Sequence, residues 1–193
     1  MLDGVFKRLC REAKRADNQH WHFAIPCSSF SVMNVHMNKG TRSNFVPAGN
    51  DSLPREILGN TLLDRCLVLI RLLAIGGNTW TLENPGASYL FKMPKVKKLL
   101  KRQSTRSAFL DQCMYNLKIP GCRSGEFVKK FSRIIGNIDL HSLAIKCKGE
   151  HSHVQAIGAV QFKGKSHKRS ALAGRYPAML CDAVQRAALL SHP

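Results

Sequence analysis

The sequence predicts an α/β fold, in which a mostly parallel sheet carries flanking helices. Two short apolar runs, at 22–26 and 79–83, have the length of buried strands. Between them, residues 55–75 repeat apolar side chains at helical spacing along two adjacent stripes. Because parallel strands need a long crossover connection, this strand, helix and strand indicate one right-handed crossover unit.

The segments before the second strand are predicted from their apolar spacing and from the residues that end each run. Residues 5–16 are expected to form a short basic helix. Residues 32–54 are expected to be an irregular loop, long enough to be a lid or a binding loop. The ends of the first strand and of the long helix are assigned to these residues: Pro26 as the strand end, Asp51 or Ser52 as the helix cap, Pro54 in the first turn, and Gly76-Gly77 as the helix end.

The second half of the chain is predicted to complete the sheet. Met93-Pro94 begins a basic amphipathic helix whose apolar side chains Val96, Leu99 and Leu100 point inward. The remaining expectations are strands at 107–115 and 127–135, a helix near 138–145, an extended stretch at 154–162, a basic turn at 164–169, and a last helix opening at Tyr176-Pro177. One domain is expected over 1–193, made of a basic N-terminal helix in 1–19, the crossover unit in 20–92 and the remaining sheet with a basic C-terminal part in 93–193.

The charge and the cysteine content indicate the kind of partner and the redox compartment of the protein. The chain of 193 residues has 30 Lys and Arg against 12 Asp and Glu, for a formal charge of +18. This balance favours a polyanionic partner, nucleic acid first. Seven irregularly spaced cysteines without a secretory signal indicate free thiols in a reducing compartment. The longest apolar run is too short to span a bilayer, so no membrane partner is expected.

Two reactive side chains follow the two predicted strands of the crossover unit. Cys27 comes directly after Pro26, and Glu83 ends the strand at 79–83. The carboxyl ends of parallel strands lie at one edge of a sheet, where open α/β folds bind ligands. A thiolate is a strong nucleophile, and a carboxylate can contact a ring nitrogen, so the pair suits covalent attack on an electron-poor heterocycle. The alternative is structural: Cys27 as a small buried residue and Glu83 as a cap of the following loop.

The residues around this pair resemble two motifs of the DNA cytosine-5 methyltransferases. Pro26-Cys27-Ser28-Ser29-Phe30-Ser31 resembles the motif Pro-Cys-x-x-Phe-Ser, and Glu83-Asn84-Pro85 resembles Glu-Asn-Val. The resemblance covers about residues 20–92. It implies that Cys27 attacks C6 of a flipped cytosine, that Glu83 contacts N3, and that S-adenosylmethionine supplies the methyl group. Extrusion of the base is what chemistry on a paired base requires.

The chain departs from that family in its cofactor region. The family's strand and Phe-x-Gly-x-Gly loop should precede the cysteine motif, but Gly4 is the only glycine before Cys27. The family's Arg-x-Arg motif and target-recognition domain are not evident. The resemblance therefore implies a partial Rossmann-like, methyltransferase-type fold that lacks the N-terminal cofactor-binding half. A truncated gene, a degenerate element and one half of a split protein needing a complementing N-terminal half all remain open.

The sequence is also compatible with a second class of function, which is not enzymatic. The later segments resemble methyltransferase-like domains of retroelement-rich protist genomes, so the chain is also interpreted as a non-catalytic basic nucleic-acid-binding domain of retroelement origin. DNA is the expected nucleic acid and the nucleus the expected location; the oligomeric state is open. The residues expected to contact nucleic acid are Arg42, Lys95, Lys97, Lys98, Lys101, Arg102, Lys163, Lys165, Lys168 and Arg169.

A separate group of metal-binding residue types lies near residue 150. Cys147, His151 and His153 place one thiol and two imidazoles within seven residues around a glycine. Zinc takes such ligands at tetrahedral positions, and Cys113 or Cys122 could supply the fourth. The spacing is not that of a standard zinc finger, and the alternative is a surface loop with two exposed histidines.

Overall fold

The computed structural model describes residues 2–50 and 52–191. Its elements in chain order are α1 (Leu2–Ala13), β1 (His20–Ala24), α2 (Val32–Asn38), α3 (Pro54–Ile75), β2 (Thr79–Pro85), α4 (Pro94–Leu100), β3 (Arg106–Asp111), β4 (Glu126–Val128), β5 (Phe131–Gly136), β6 (Ser152–Val154), β7 (Ala159–Phe162), β8 (Lys165–Lys168), α5 (Arg169–Leu172) and α6 (Ala178–Leu190). Short 3-10 turns lie at Tyr89–Lys92, Gln112–Tyr115 and His141–Leu143.

Four strands form the main sheet, in the order β1-β2-β5-β3. β1 and β2 are parallel, with Ala24 opposite Glu83. β5 runs antiparallel to both of its neighbours, so β1, β2 and β3 share one direction and β5 opposes them. The predicted α/β fold with flanking helices is therefore confirmed, and the sheet is mixed: three of its four strands share one direction, but two of its three strand pairs are antiparallel.

α3 covers one face of the sheet and explains why the crossover unit holds together. Its buried side chains are Glu56, Leu63, Cys66, Leu69, Ile70 and Leu73, beside the buried Gly59. The apolar ones join Phe30, Trp80 and Leu82 in one core, where each fully buried large apolar side chain contributes about 1.5–3 kcal/mol. The buried face is narrower than the two predicted stripes, because Leu58 and Ala74 are exposed.

The ends of α3 follow the predicted residues only in part. Pro54 lies in the first turn, and Gly76 caps the C-terminal end through its backbone N–H. At the N-terminal end Leu53 takes the cap position without a side-chain hydrogen bond, so Ser52 is not the cap. Asp51, the other predicted cap, lies outside the described residues.

The opposite face of the sheet packs against α6. Leu180, Val184 and Ala187 of α6 share a core with Leu110 and Ile134 of the sheet. α6 begins directly after Tyr176-Pro177, as predicted, with Pro177 at its cap position. Among the described helices, we find none whose length and apolar character would let it cross a bilayer.

Several predicted elements are shorter or are divided. The predicted loop 32–54 contains α2, the strand at 107–115 ends at Asp111, and the helix near 138–145 is only a 3-10 turn. The strand at 127–135 breaks at 129–130 into β4 and β5, which belong to different sheets, because β4 pairs with β6. The extended stretch at 154–162 is likewise divided between β6 and β7.

The predicted basic turn at 164–169 is half of a β-hairpin. β7 and β8 pair antiparallel around Lys163-Gly164. Both residues have positive φ, 51° and 73°, which is the conformation of the tight two-residue turns that connect hairpin strands. The predicted turn therefore begins one residue late and includes the strand β8.

Candidate functional site

The two motif loops meet at the carboxyl ends of β1 and β2. Asn84 donates from Nδ2 to the carbonyl of Ile25 at 2.9 Å, which ties the glutamate motif to the chain just before Cys27. The carbonyl of Cys27 accepts from the backbone N–H of Phe30 and of Ser31, so a tight turn presents the thiol at the surface. The parallel strand pair predicted from the sequence therefore brings these two strand ends together.

Glu83 lies in a closed network of side-chain donors. Ser132 Oγ donates to Oε1 at 2.6 Å, and the Tyr176 hydroxyl donates to Oε2 at 2.6 Å. Gln112 Nε2 donates to Ser132 Oγ at 2.9 Å and lies 3.5 Å from Glu83 Oε1. Glu83 is only 4% exposed, and a buried carboxylate is tolerated when donors of this kind satisfy it.

None of these three donors was identified from the sequence. Tyr176 was predicted only as the start of a helix. It lies 93 residues from Glu83 along the chain, so no local pattern connects the two. One signal does point to the correct face of β2. Thr79, Thr81 and Glu83 alternate with Trp80 and Leu82, so one side of this strand, which is buried as far as Asn84, is polar and needs partners.

Tyr176 separates the glutamate from a surface cleft. The ring of His22 packs edge-on against the Tyr176 ring with centroids 5.3 Å apart, and Lys130 Nζ lies 5.4 Å from the centroid of that ring. Burial and the adjacent Glu83 charge both raise the pKa of Tyr176, so the hydroxyl stays a donor. Desolvation by the surrounding protein lowers the pKa of His22, although the nearby Glu83 opposes this effect.

Cys27 shares the electrostatic surroundings of Glu83 and Tyr176. Desolvation raises the pKa of the Cys27 thiol; Lys130 lowers it and Glu83 raises it further. The thiol is therefore mainly protonated at neutral pH, and added positive charge or a ligand is needed to favour the thiolate. The arrangement brings a surface thiol and a buried carboxylate to one place without activating the thiol in advance.

Arg42 does not belong to the nucleic-acid surface to which it was assigned. It is 1% exposed, and its guanidinium lies 4.0 Å from the centroid of the Phe30 ring. Its N–H groups donate to the carbonyls of Ser29, Pro47 and Glu56 and to Asn60 Oδ1 and Ser29 Oγ, at 2.7–3.3 Å. The prediction for Arg42 is therefore wrong: the side chain fastens the cysteine loop and the following loop to α3.

Gly59 permits the close approach that this arrangement needs. A Cβ atom at Gly59 would lie 2.2 Å from Ser29 Oγ and 3.1 Å from Arg42 Nη2. A side chain at position 59 would therefore displace Ser29 Oγ and crowd the Arg42 guanidinium. A glycine in the middle of a buried helix face thus marks the position where the cysteine loop crosses α3.

A cleft of about 430 Å³ lies beside Tyr176 on the α6 side of the sheet. Its walls are Asn18, His20, His22, Tyr176, Leu180, Cys181, Val184, Gln185, Ala188 and Leu189. These walls contain no acidic side chain for ribose hydroxyls, and Gly4 lies within α1 rather than in a turn beside β1. The walls of this cleft therefore lack the residue types that open α/β folds use to hold such a cofactor, and S-adenosylmethionine stays a prediction.

The other predicted nucleic-acid residues lie at or near the surface. Lys97, Lys98, Lys101 and Arg102 are exposed on and after α4. Lys95 is exposed and pairs with Asp64 at 2.7 Å, an ion pair of little energetic weight. In the β7–β8 hairpin Lys163, Lys165 and Lys168 are exposed, while Arg169 is half-buried.

An aromatic and cationic patch was missed by sequence reasoning. The rings of Phe109 and Phe131 stack with centroids 5.7 Å apart, and both are about 40% exposed. Lys146 Nζ lies 3.9 Å from the Phe131 centroid, and the Arg133 guanidinium lies 4.9 Å from that of Phe109. The four residues come from three distant segments, so no local motif announces them.

The predicted metal-binding residues come together in space. The donor atoms of Cys113, Cys147, His151 and His153 all lie within 4.8 Å of one another. Of the two cysteines left open for the fourth position, Cys113 joins the cluster, while Cys122 packs against a small core around Leu117 and Ile119.

Comparisons with protein-family models, with curated proteins and with solved structures return no match. The resemblance to the DNA cytosine-5 methyltransferases therefore rests on the two short motifs, and it stays a prediction.

Proposed function

We propose that the chain is a DNA cytosine-5 methyltransferase-like domain that holds nucleic acid on its basic surface and receives an extruded pyrimidine beside Cys27 and Glu83. The observation that carries this proposal is the meeting of both motif loops at one sheet edge, where Asn84 bonds to Ile25 and the Glu83 charge acts on Cys27. The basic charge and the exposed lysines support a polyanionic partner, and a nuclear location follows for a DNA-binding protein.

The chemistry proposed for Cys27 is addition to the pyrimidine ring. The thiol releases its proton to solvent, and the sulfur electron pair forms a bond to C6. The C5=C6 π pair moves to C5, and in the absence of a methyl donor this pair forms a C5–H bond with a proton from water. Glu83 contacts the N3 edge. S-adenosylmethionine would supply the methyl group for C5, but no residues of this chain are assigned to hold it.

The Tyr176 hydroxyl occupies part of the surface that the base needs. It donates to Glu83 Oε2, so a base that reads this oxygen has to share it or displace Tyr176. Gln112 Oε1, buried in the same network, has no hydrogen-bond partner among the described residues. A buried acceptor of this kind needs an explanation, and the exocyclic amino group of cytosine would satisfy it.

The test is covalent capture by duplex DNA carrying pyrimidin-2-one at one position, a base whose C6 accepts a thiolate without any methyl donor. We expect the wild-type protein to form a denaturant-resistant adduct that peptide mass spectrometry assigns to Cys27. Cys27→Ser should form none. Cys181→Ser is the matched control, because it makes the same change at another exposed cysteine beside Tyr176, and it should react as the wild type does.

Absence of any Cys27 adduct with folded wild-type protein that binds the DNA would overturn the covalent role. The second candidate would then remain, a non-catalytic nucleic-acid-binding domain. The specific observation in its favour is the Phe109–Phe131 stack flanked by Lys146 and Arg133, because bases stack on exposed aromatic rings while cations follow the phosphates.

Salt dependence of binding tests the nucleic-acid partner itself. Phosphate contacts release counterions, so the affinity for single- and double-stranded DNA should fall steeply as salt rises. Replacing Lys97, Lys98, Lys101 and Arg102 with glutamine should make that dependence shallower. A wild-type affinity independent of salt would contradict both candidate functions.

A further inference from the structure

We propose that Cys113, Cys147, His151 and His153 coordinate one Zn²⁺ ion, and that this ion is structural. The proposal concerns residues that the nucleobase site does not use. Its basis is the convergence of two sulfurs and two imidazoles from separate parts of the chain. Cys113 lies in the 3-10 turn after β3, Cys147 in the loop after Leu143, and the histidines at and beside β6.

Two of the donor–donor distances are those of a tetrahedral zinc site, and all four donor atoms lie within 4.8 Å of one another. Cys147 Sγ lies 3.6 Å from His151 Nε2 and 3.5 Å from His153 Nε2. With Zn–S near 2.3 Å and Zn–N near 2.0–2.1 Å, a tetrahedral angle places a sulfur and a nitrogen about 3.5–3.6 Å apart. These two edges therefore match without any movement of the side chains.

The chemistry of the donors selects zinc and a closed site. Two thiolates and two neutral imidazoles balance the charge of a divalent ion, and an S₂N₂ tetrahedral set is characteristic of zinc. Four protein ligands leave no position for water or substrate, which is the difference between structural and catalytic zinc sites. The ion would therefore act as a cross-link between the chain segments that carry its ligands.

Neighbouring backbone groups already orient Cys147. Its N–H donates to Asp111 Oδ2 at 3.0 Å, and the N–H of Gly149 donates to Cys147 Sγ at 3.3 Å. Gly149 has a φ of +86°, a conformation that side chains rarely adopt, and this turn returns the chain toward the sulfur. Contacts of this type around the ligands orient a metal site and stabilise it.

The part of the fold that holds the histidines has little else to stabilise it. β4 and β6 pair over three residues only, as an isolated two-stranded parallel sheet. Such a pair is marginal on its own, and the nearby core is limited to a few side chains around Leu117, Ile119 and Val128. A metal bond between Cys113 and the β6 region supplies the missing cross-link.

The metal would also hold the segment next to the Glu83 network. Gln112, which donates to Ser132 beside Glu83, directly precedes Cys113. The N–H of Gln112 donates to the carbonyl of Lys130 at 2.9 Å, so the same turn positions the loop that carries Lys130. Loss of the ion is therefore expected to loosen residues 111–117 and 126–154 together.

The first experiment measures metal content in protein purified without a histidine tag from zinc-supplied cells. We expect about one equivalent of zinc in the wild type. Cys113→Ser and His153→Ala should each lose most of it. Cys122→Ser and His141→Ala make the same changes outside the cluster and should keep it. Wild-type protein that holds less than a tenth of an equivalent, and that does not take up added Zn²⁺, would overturn the proposal.

A second measurement on the wild type keeps the test valid if a ligand variant fails to fold. Cobalt(II) exchanged into the protein should give the intense visible absorption of tetrahedral cobalt together with thiolate charge-transfer bands. A weak octahedral spectrum without thiolate bands, or a Cys113–Cys147 disulfide in protein kept under reducing conditions, would contradict it. Hydrogen exchange should rise in 111–117 and 126–154 when a chelator removes the ion, and an unchanged exchange pattern would refute the structural role.

Discussion

Two buried charged side chains, Arg42 and Glu83, lie beside the two motif loops. Arg42 stabilises the fold, whereas Glu83 belongs to the candidate site. Arg42 donates mainly to backbone carbonyls and packs on the buried Phe30 ring. The described hydrogen bonds to the Glu83 carboxylate come from the side chains of Ser132, Tyr176 and Gln112, and an exposed thiol lies close by. A charge held by the backbone is committed to the fold, whereas side-chain donors can change partners when a ligand arrives.

The largest expected effect on stability comes from removing the guanidinium of Arg42. Arg42→Met removes the five hydrogen bonds that the buried guanidinium donates to Ser29, Pro47, Glu56 and Asn60. We expect the free energy of unfolding to fall by about 3–5 kcal/mol, as for other buried charged networks that lose one member. Denaturant unfolding measures this change.

The exposed Lys97→Met is the control, and its effect should stay within about 0.5 kcal/mol. If Arg42→Met kept the stability of the wild type and weakened only DNA binding, Arg42 would be a surface contact and its assignment to the fold would be wrong.

A smaller effect is expected when one donor of Glu83 is removed. Tyr176→Phe deletes the hydroxyl and keeps the ring that packs against His22. Because a hydrogen bond to a charged group is lost, the free energy of unfolding should fall by about 1.5–3 kcal/mol. The same change opens Glu83 Oε2, so the yield of the pyrimidin-2-one adduct at Cys27 should rise.

Ser132→Ala serves as the matched variant, since it removes the donor to the other oxygen of the same carboxylate. A Tyr176→Phe protein that is folded but forms less adduct would show that the hydroxyl assists the base rather than blocking it.

The alkylation rate of Cys27 distinguishes the effects of two charged side chains, Glu83 and Lys130. Glu83 raises the pKa of this thiol and Lys130 lowers it. At a fixed pH near neutrality, Cys27 should therefore be alkylated faster in the Glu83→Gln protein than in the wild type, and more slowly in the Lys130→Ala protein. Peptide-resolved mass spectrometry after a short exposure to iodoacetamide measures this, with Cys10 as the internal reference. Equal rates in all three proteins would mean that neither charge acts on the sulfur.

The smallest expected effect is the alkaline pH dependence of stability. Burial and Glu83 raise the pKa of Tyr176 in the folded state, so above an unfolded value of about 10 the unfolded chain loses its phenol proton first. The unfolded state then binds fewer protons, and stability falls as the pH rises. Tyr176→Phe lacks this contribution, so its stability deficit relative to the wild type should shrink above about pH 10. A deficit that stays constant would contradict the raised pKa.

The crossover unit could be predicted because each of its features is local. The short apolar run at 79–83, the helical spacing in 55–75 and Pro26 as a strand end are each visible within a short segment. The same local signals failed at 127–135, where one apolar run serves two strands of different sheets, and at 32–54, where a two-turn helix follows the cysteine loop.

The partners of the candidate sites could not be predicted, because they depend on which distant faces pack together. Tyr176 reaches Glu83 only because α6 covers one face of the sheet, and Arg42 turns inward only because Gly59 lets the cysteine loop approach α3. For the fourth metal ligand, the sequence offered Cys113 or Cys122 and the prediction named Cys113, but only the 3-10 turn after β3 shows why Cys113 reaches the cluster.

The amino-acid sequence alone determined the order of strands and helix in the crossover, the placement of Cys27 and Glu83 at one sheet edge, and the grouping of Cys147 with His151 and His153. These follow from backbone geometry, since side-chain periodicity and strand direction are properties of a short segment. Only the tertiary structure decided which charge is structural and which is part of a site. That depends on desolvation and hydrogen bonding by residues far apart along the chain, and these are set when the helices pack on the two faces of the sheet.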